Sequence, residues 1–301
     1  MTDPASKPSP SDTSSSTAGD VSDDSQAHAN HASRLNHIII RLVAVHKSFD
    51  SLKVLDGVSL DLQRGQTTVI IGPSGTGKSV LLKHIVGLLE PDRGEVWFED
   101  QRVDGRSEAD RVEIRKQIGL LFQMGALFDS LNVYDNVSFP LVQHTRLSTS
   151  QRRRRCNDVL ELVGLGGFEN KMPSKLSGGQ RKRVALARAI VLQPKVVLYD
   201  EPTTGLDPIR ADVINELIIA LGKHLGITSV VVTHDMASAD KIADRMVMLY
   251  DGHIVADNDP RTFHQSDNEL VQRFIQGRAK QEDLDRIREG FARHGAESPV
   301  T

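Results

Sequence analysis

A single cysteine, Cys156, stands in the 301 residues, so no intramolecular disulfide is possible and a reducing compartment is the expected home. Long apolar runs are also missing. Crossing a bilayer takes about 20 consecutive apolar residues. The runs here, such as Ile38-Ile39-Ile40 through Val45, are strand-sized and broken by Arg41. The N-terminus lacks the apolar core of a signal peptide. These gaps predict a cytoplasmic chain whose membrane contact is made through partners. Net charge is only −3, which gives no general basic field and no expectation of a nucleic-acid partner. No internal repeat and no sustained heptad pattern is found.

What is present fits a soluble globular chain, with 39% hydrophobic and 26% charged residues. Residues 1–35 are rich in Ser, Asp, Pro and Ala and hold almost no large apolar side chain. Such a segment cannot offset its ordering entropy, so a disordered tail is expected, whether passive or used for docking. From His37 the texture changes. Strands are predicted at Ile38–Phe49, Val54–Leu62, Thr67–Ile71, Gly94–Phe98, Ile118–Phe122, Val196–Tyr199 and Ser229–Thr233. A hairpin is predicted across Asp251-Gly252, and helices at Ser79–Leu88, Gln151–Val163 and Ala211–Leu225. The alternation indicates a three-layer α/β core with a largely parallel sheet. Residues 123–189 read as a helical block forming a separate lobe. Leu270, Val271, Phe274 and Ile275, then Leu284, Ile287 and Phe291, give two narrow apolar helix faces near the end. The second face either packs loosely on its own chain or docks on a neighbouring subunit. Cys156 follows four arginines, which could favour its thiolate; the alternative is a passive thiol on an exposed helix. Arg152 to Arg155 read as a solvated face, or as a contact for anionic lipid or nucleic acid.

The chemistry is concentrated in three peptides. Gly72-Pro73-Ser74-Gly75-Thr76-Gly77-Lys78-Ser79 matches G-x-x-x-x-G-K-[ST] between a predicted strand and a predicted helix. Its glycines permit a nest of backbone N–H groups around phosphates, and the helix adds the positive end of its dipole. Lys78 is placed to reach the outer phosphates, and Ser79 to ligate Mg²⁺. Val196-Val197-Leu198-Tyr199-Asp200-Glu201 is an apolar strand ending in two carboxylates. Asp200 suits Mg²⁺, and Glu201 suits a general base acting on water. Leu176-Ser177-Gly178-Gly179-Gln180 opens another helix and offers a second N-terminus suited to an anion, or simply a Ser-Gly-Gly cap. One chain thus carries two phosphate-facing helix ends but one Mg²⁺/base set. Two copies arranged head to tail, each closing on the other's ATP, satisfy that count.

At this point the sequence resembles the ABC ATPase family, over nearly everything from about 36 to 260. The resemblance implies a P-loop NTPase fold with a RecA-like core, an antiparallel β subdomain and an inserted helical subdomain. It implies a nucleotide-binding domain over 36–260 and leaves 261–301 as a C-terminal helical extension. ATP and Mg²⁺ are the implied ligands. Gln123 matches the family's Q-loop glutamine, placed near the metal and the attacking water and relaying contacts to a membrane subunit. His234 matches the switch histidine that contacts the γ-phosphate. Thr204-Gly205-Leu206-Asp207 matches the D-loop, written here with Thr-Gly in place of the common Ser-Ala. Phe49 matches the aromatic that stacks on adenine, where tyrosine is commoner. The implied nucleotide contacts run from Gly72 through Lys78, Ser79 and Val80, with Ser177, Gly178, Gly179, Gln180 and Asp207 serving across the dimer.

Phe122-Gln123-Met124-Gly125-Ala126-Leu127-Phe128-Asp129-Ser130, followed by Val133-Tyr134-Asp135-Asn136-Val137 and Pro140-Leu141, is most similar to the Mla-type (MCE-associated) lipid transport ATPases. Methionine and lipoprotein transport ATPases resemble it less closely. The resemblance implies phospholipid transport at the cytoplasmic face of a bacterial inner membrane. Its implied partners are a second ATPase copy, permease subunits, a STAS-domain subunit and a periplasmic MCE protein. A translation factor of this class would hold two cassettes, and a chromosome ATPase would separate its motifs by a long coiled coil. A scaffold without turnover is disfavoured by the joint presence of Lys78, Asp200, Glu201 and His234.

Overall fold

The computed structural model of the chain describes residues 37–279 and 281–295. The tail expected over 1–35 lies outside them. The strands are β1 (Ile38–Phe49), β2 (Leu52–Gln63), β3 (Thr67–Ile71), β4 (Arg93–Phe98), β5 (Gln101–Arg102), β6 (Ile118–Leu121), β7 (Val196–Asp200), β8 (Thr228–Thr233), β9 (Arg245–Tyr250) and β10 (His253–Asn258). The helices are α1 (Lys78–Ile85), α2 (Glu108–Arg115), α3 (Val133–His144), α4 (Thr149–Leu162), α5 (Gly178–Ile190), α6 (Pro208–Leu225), α7 (Met236–Ile242), α8 (Pro260–His264), α9 (Glu269–Ile275) and α10 (Gln281–Gly295).

Two sheets result. β2-β1-β4-β5 is antiparallel, and β10-β9-β3-β8-β7-β6 is parallel except for its β10 edge. All five residues of β3 are buried, as expected of a parallel strand covered on both faces. Alternation along β7 divides the interior. Val196 and Leu198 face one cluster, shared with α1 and the antiparallel sheet, while Val197 and Tyr199 face the other, shared with α3 to α7. The short runs read as strands in the sequence are therefore strands, and the α/β reading with an antiparallel second sheet is what the chain adopts.

Over 123–189 the chain is mainly helical, as read from the sequence. α3, α4 and α5 bury Val137, Leu141, Val159, Leu160 and Leu186 in the same cluster that covers the parallel sheet. Differences are local and have causes. Cys156 is not on an exposed surface, for it is fully buried on α4 beside Val159 and Leu160. Burial pushes its thiol up to about 12, against the opposing charge of Arg152, so the arginine run does not activate it. Arg152 and Arg155 are turned inward to the Leu147 and Val191 carbonyls at 2.8 and 3.1 Å. On α10, Leu284, Ile287 and Phe291 are exposed, and the face they form is uncovered among the described residues.

Candidate functional site

Four neighbouring parallel strands, β3, β8, β7 and β6, end at one edge of the sheet. Each delivers a polar group where ligands of open α/β sheets bind, beyond the strand C-termini. After β3 the chain enters Gly72–Ser79; β7 ends in Asp200 and is followed by Glu201; His234 follows β8; Gln123 follows β6 by two residues. Glu201, His234 and Gln123 line one cleft of about 410 Å³ with Phe49, Val54, Ser74, Gly75, Gly77, Lys78, Ser79 and Val80.

The loop backbone needs glycine at two of its positions for packing reasons. A Cβ on Gly72 would lie 2.1 Å from the Leu249 carbonyl oxygen, and one on Gly77 (φ 94°) would lie 2.8 Å from Val54 Cγ1. Lys78 is buried, and its Nζ donates to the Gly72 and Pro73 carbonyls at 2.8 Å each. Burial lowers its pKa, while Glu201 and Asp200 act in the opposite direction. Ser79 Oγ donates to Asp200 Oδ1 at 2.7 Å. Burial holds the Asp200 carboxyl above the usual carboxylate range, the Ser79 hydroxyl opposing it. A cation at this pair would relieve the desolvated charge.

Glu201 sits in the left-handed backbone region at φ 49°. For a residue with a Cβ this costs about 1–2 kcal/mol, and it turns the side chain out of the strand plane into the cleft. Thr204 Oγ1 donates to Glu201 Oε2 at 2.9 Å. His234 Nδ1 lies 3.0 Å from Oε1 and 2.9 Å from Oε2. The carboxylate is thus held from two sides and is 9% exposed, which suits a group that must meet one water in a fixed direction.

The predicted residues fall into two places. Phe49, Lys78, Ser79, Gln123, Glu201 and His234 meet in the cleft, with Asp200 hydrogen-bonded to Ser79. Ser177, Gly178, Gly179 and Gln180 do not line it. They cap α5 instead: Ser177 Oγ accepts from Gln180 N at 3.3 Å, and Gln180 Oε1 accepts from Ser177 N at 2.9 Å. Gly178 lies against Leu206, and Gly179 against Arg210, whose Nε is 3.2 Å from Asp207 Oδ2. Asp207 itself caps α6. The signature peptide and Asp207 therefore form a second polar patch, apart from the cleft.

Sequence reasoning missed Lys182. It lies in the second turn of α5, 7% exposed, with Nζ donating to the Glu201, Pro202 and Thr204 carbonyls. A signal existed, because Lys182 falls in helical phase with the buried Gly179, Leu186 and Ile190.

The donors of the cleft fit a phosphate-bearing ligand, and the Ser79–Asp200 pair would fit one small divalent ion. Among the described residues no group of three or more His, Cys, Asp or Glu could hold a metal. One carboxylate beside one hydroxyl is instead the donor set of Mg²⁺ carried on phosphates.

The family model described as ABC transporter matches residues 55–204. The chain is 42% identical over 241 residues to the Probable ribonucleotide transport ATP-binding protein mkl of Mycobacterium leprae (strain TN), covering 80% of this chain and 70% of that protein. It is 42% identical over 224 residues to the Intermembrane phospholipid transport system ATP-binding protein MlaF of Escherichia coli (strain K12), covering 74% of this chain and 83% of that one. Among solved structures, a dimeric ATP-binding cassette in a post-hydrolysis state with ADP and Pi is 34% identical with a TM-score of 0.69. That match covers 73% of this chain and 98% of that one.

Proposed function

This chain belongs to the ABC transporter family, and from that premise we propose that it hydrolyses ATP as one of two head-to-tail copies that energise phospholipid transport between two membranes. The observation that carries the reading is the division of the site. The phosphate loop, Glu201 and His234 share a cleft, with Asp200 bonded to Ser79 at its floor, while Ser177–Gln180 and Asp207 lie elsewhere on the same chain. A second copy is the natural source of the missing wall.

In this reading the Gly72–Ser79 backbone N–H groups cradle the phosphates, and Lys78 exchanges its loop carbonyls for the outer phosphates. Phe49 offers a half-exposed ring to the base. Ser79 and Asp200 hold Mg²⁺, with Gln123 beside them; the ion supplies charge neutralisation on the phosphates. Glu201 takes the proton as water oxygen attacks the γ-phosphorus and the bond from that phosphorus to the bridging oxygen breaks, the oxygen leaving on ADP; Thr204 and His234 fix the direction of the Glu201 lone pairs. His234 is also within the same cleft for contact with the γ-phosphate.

One apolar surface supports docking of a membrane partner. An apolar cleft of about 450 Å³ is lined by Leu120, Phe122, Ala126, Phe128, Phe139 and Pro140, beside Arg188. Phe128 and Phe139 stack at 4.9 Å between centroids, and Met124 nearby is 88% exposed. Gln123 lies at the junction of this surface with the nucleotide cleft, so movement at one end is felt at the other. No helix among the described residues is long and apolar enough to cross a membrane. The permease subunits that supply the crossing, a STAS-domain subunit and a periplasmic MCE protein are the partners proposed, at the cytoplasmic face of a bacterial inner membrane. Phospholipid is favoured as cargo by a relative of which the chain covers 83%, and by the Phe122–Leu141 segment. Ribonucleotide, named for the mycobacterial relative, is the second reading.

The test is the complex purified from host membranes. Glu201→Gln should leave ATP affinity unchanged and slow hydrolysis by about 10²- to 10⁴-fold, and the co-purifying subunits should carry phospholipid. Near-normal hydrolysis overturns the role of Glu201. Nucleotide cargo in place of lipid overturns the transport reading.

A further inference from the structure

The turn that carries Glu201 is held from beneath by a residue of the signature helix. We propose that Lys182 is a positioning residue for hydrolysis, whose ammonium gathers three backbone carbonyls and so sets the direction of the Glu201 carboxylate. The inference rests on Glu201 acting as the proton acceptor.

The geometry is specific. Nζ donates to the carbonyl oxygens of Glu201, Pro202 and Thr204 at 3.2, 2.7 and 2.8 Å. An ammonium has three N–H donors and no acceptor, so its hydrogen-bonding capacity matches the three oxygens. Three carbonyl dipoles aimed at one point repel each other unless a positive group stands there. Without it the turn would open, and Glu201, already in a left-handed conformation, would be the first residue to relax. Besides the Thr204 and His234 side chains on the carboxylate and the bond from Leu206 N to Thr203 O at 3.1 Å, two backbone bonds hold the Glu201 peptide itself. Thr204 N donates to Glu201 O at 3.3 Å, a long bond, and Glu201 N donates to Val232 O at 2.9 Å.

Placement explains why a charged side chain is kept inside at all. Lys182 is 7% exposed and its ammonium is bonded to three backbone carbonyls, so an apolar residue would be the easier occupant of the site. Burial pulls its pKa down to about 8, the nearby Glu201 charge opposing this. The helix that presents Lys182 begins at Ser177–Gln180, the peptide assigned to the partner copy's nucleotide. One rigid helix therefore has its start at the far ATP site and its second turn under the base of the near one. Movement of α5 by a fraction of an ångström on dimer closure would be transmitted to Glu201 through these three bonds.

Lys182→Met keeps the length and removes the donors. In the purified complex it should lower kcat by about 10- to 100-fold, the order of loss that a misplacement of about 1 Å brings. KM for ATP and nucleotide affinity should stay within about two-fold. Lys182→Arg, which keeps cationic donors, should recover part of the kcat loss. A kcat within about two-fold of the parent overturns the proposal. So does a parallel loss of kcat, ATP affinity and thermal stability without recovery in the arginine variant, since that marks a purely structural lysine. Should the methionine variant fail to fold, Lys182→Gln, with two N–H donors, serves the same comparison with the same two outcomes. Glu201→Gln is measured alongside. If it hydrolyses normally, the assignment of the base has failed; if it is inactive while Lys182→Met is normal, only the positioning role has failed.

Discussion

Asn136 is fully buried and holds together the segment that presents Phe128 to the proposed membrane partner. Its Oδ1 accepts from Phe128 N at 2.8 Å, and its Nδ2 donates to Phe128 O, Leu131 O and Asn132 O at 3.0, 2.9 and 3.0 Å. In Asn136→Ala two of these groups keep another partner. Leu131 N donates to Phe128 O, and the helical N–H of residue 136 donates to Asn132 O. The Phe128 N–H and the Leu131 carbonyl are left alone. Each orphaned group costs about 1–3 kcal/mol. Because Phe128 is 43% exposed, water can reach part of the segment, and a local loss of about 3 kcal/mol is expected. That corresponds to roughly 150-fold easier opening. Native-state hydrogen exchange at the Phe128 amide reads this directly, since it reports local opening. Asn136→Asp, which keeps the acceptor, should restore part of the protection. ATP affinity of the isolated chain should not change, while stimulation by the membrane subunits should fall. Exchange at Phe128 within five-fold of the parent, on the order of 1 kcal/mol, would refute the reasoning.

Two further outcomes are expected. Gly77→Ala meets both a left-handed φ of 94° and a Cβ position 2.8 Å from Val54 Cγ1, so ATP affinity should fall by at least about 30-fold in a titration of the purified chain. Cys156, buried and with its thiol pushed up to about 12, should not react with a thiol reagent at pH 8 until the chain is unfolded, because its thiolate fraction there is about 10⁻⁴.

The parts of the site that could be read from the sequence are those in which chemistry and backbone coincide. A phosphate loop needs its glycines at fixed spacing, so Gly72–Ser79 is visible without a structure. Val196–Glu201 is visible because a strand buried on both faces must be apolar until it reaches solvent. Cys156 misled because the four arginines before it mask a short apolar stripe, Cys156, Val159 and Leu160, that is one helix face. Lys182 and Asn136 were passed over for a related reason. Both are polar residues whose partners are backbone carbonyls and amides, on a neighbouring loop for Asn136 and on the Glu201 turn for Lys182, and backbone groups carry no sequence signal. The helical character of 123–189 was legible, but not how its helices are buried. α5 is buried on the side toward the sheet as well as toward α3 and α4, which composition alone cannot distinguish.

The common edge at which β3, β8, β7 and β6 end determines where the gene can change length. Their registers are locked side by side, Ile118 with Val196, Val196 with Thr228, and Thr67 with Ser229. Deleting one codon inside β7 would draw Glu201 back by about 3.3 Å and turn every following side chain to the opposite face. His234 and the phosphate loop would stay in place, so a single lost residue would separate the proton acceptor from its substrate with little change in composition. At the opposite edge the same deletion is absorbed by connections such as the end of α6, where residues 223–226 are exposed and Gly226 closes the helix in the left-handed conformation. Length variation among functional descendants of this chain should therefore collect on the strand-start side and be absent from the strands and the loops that leave them.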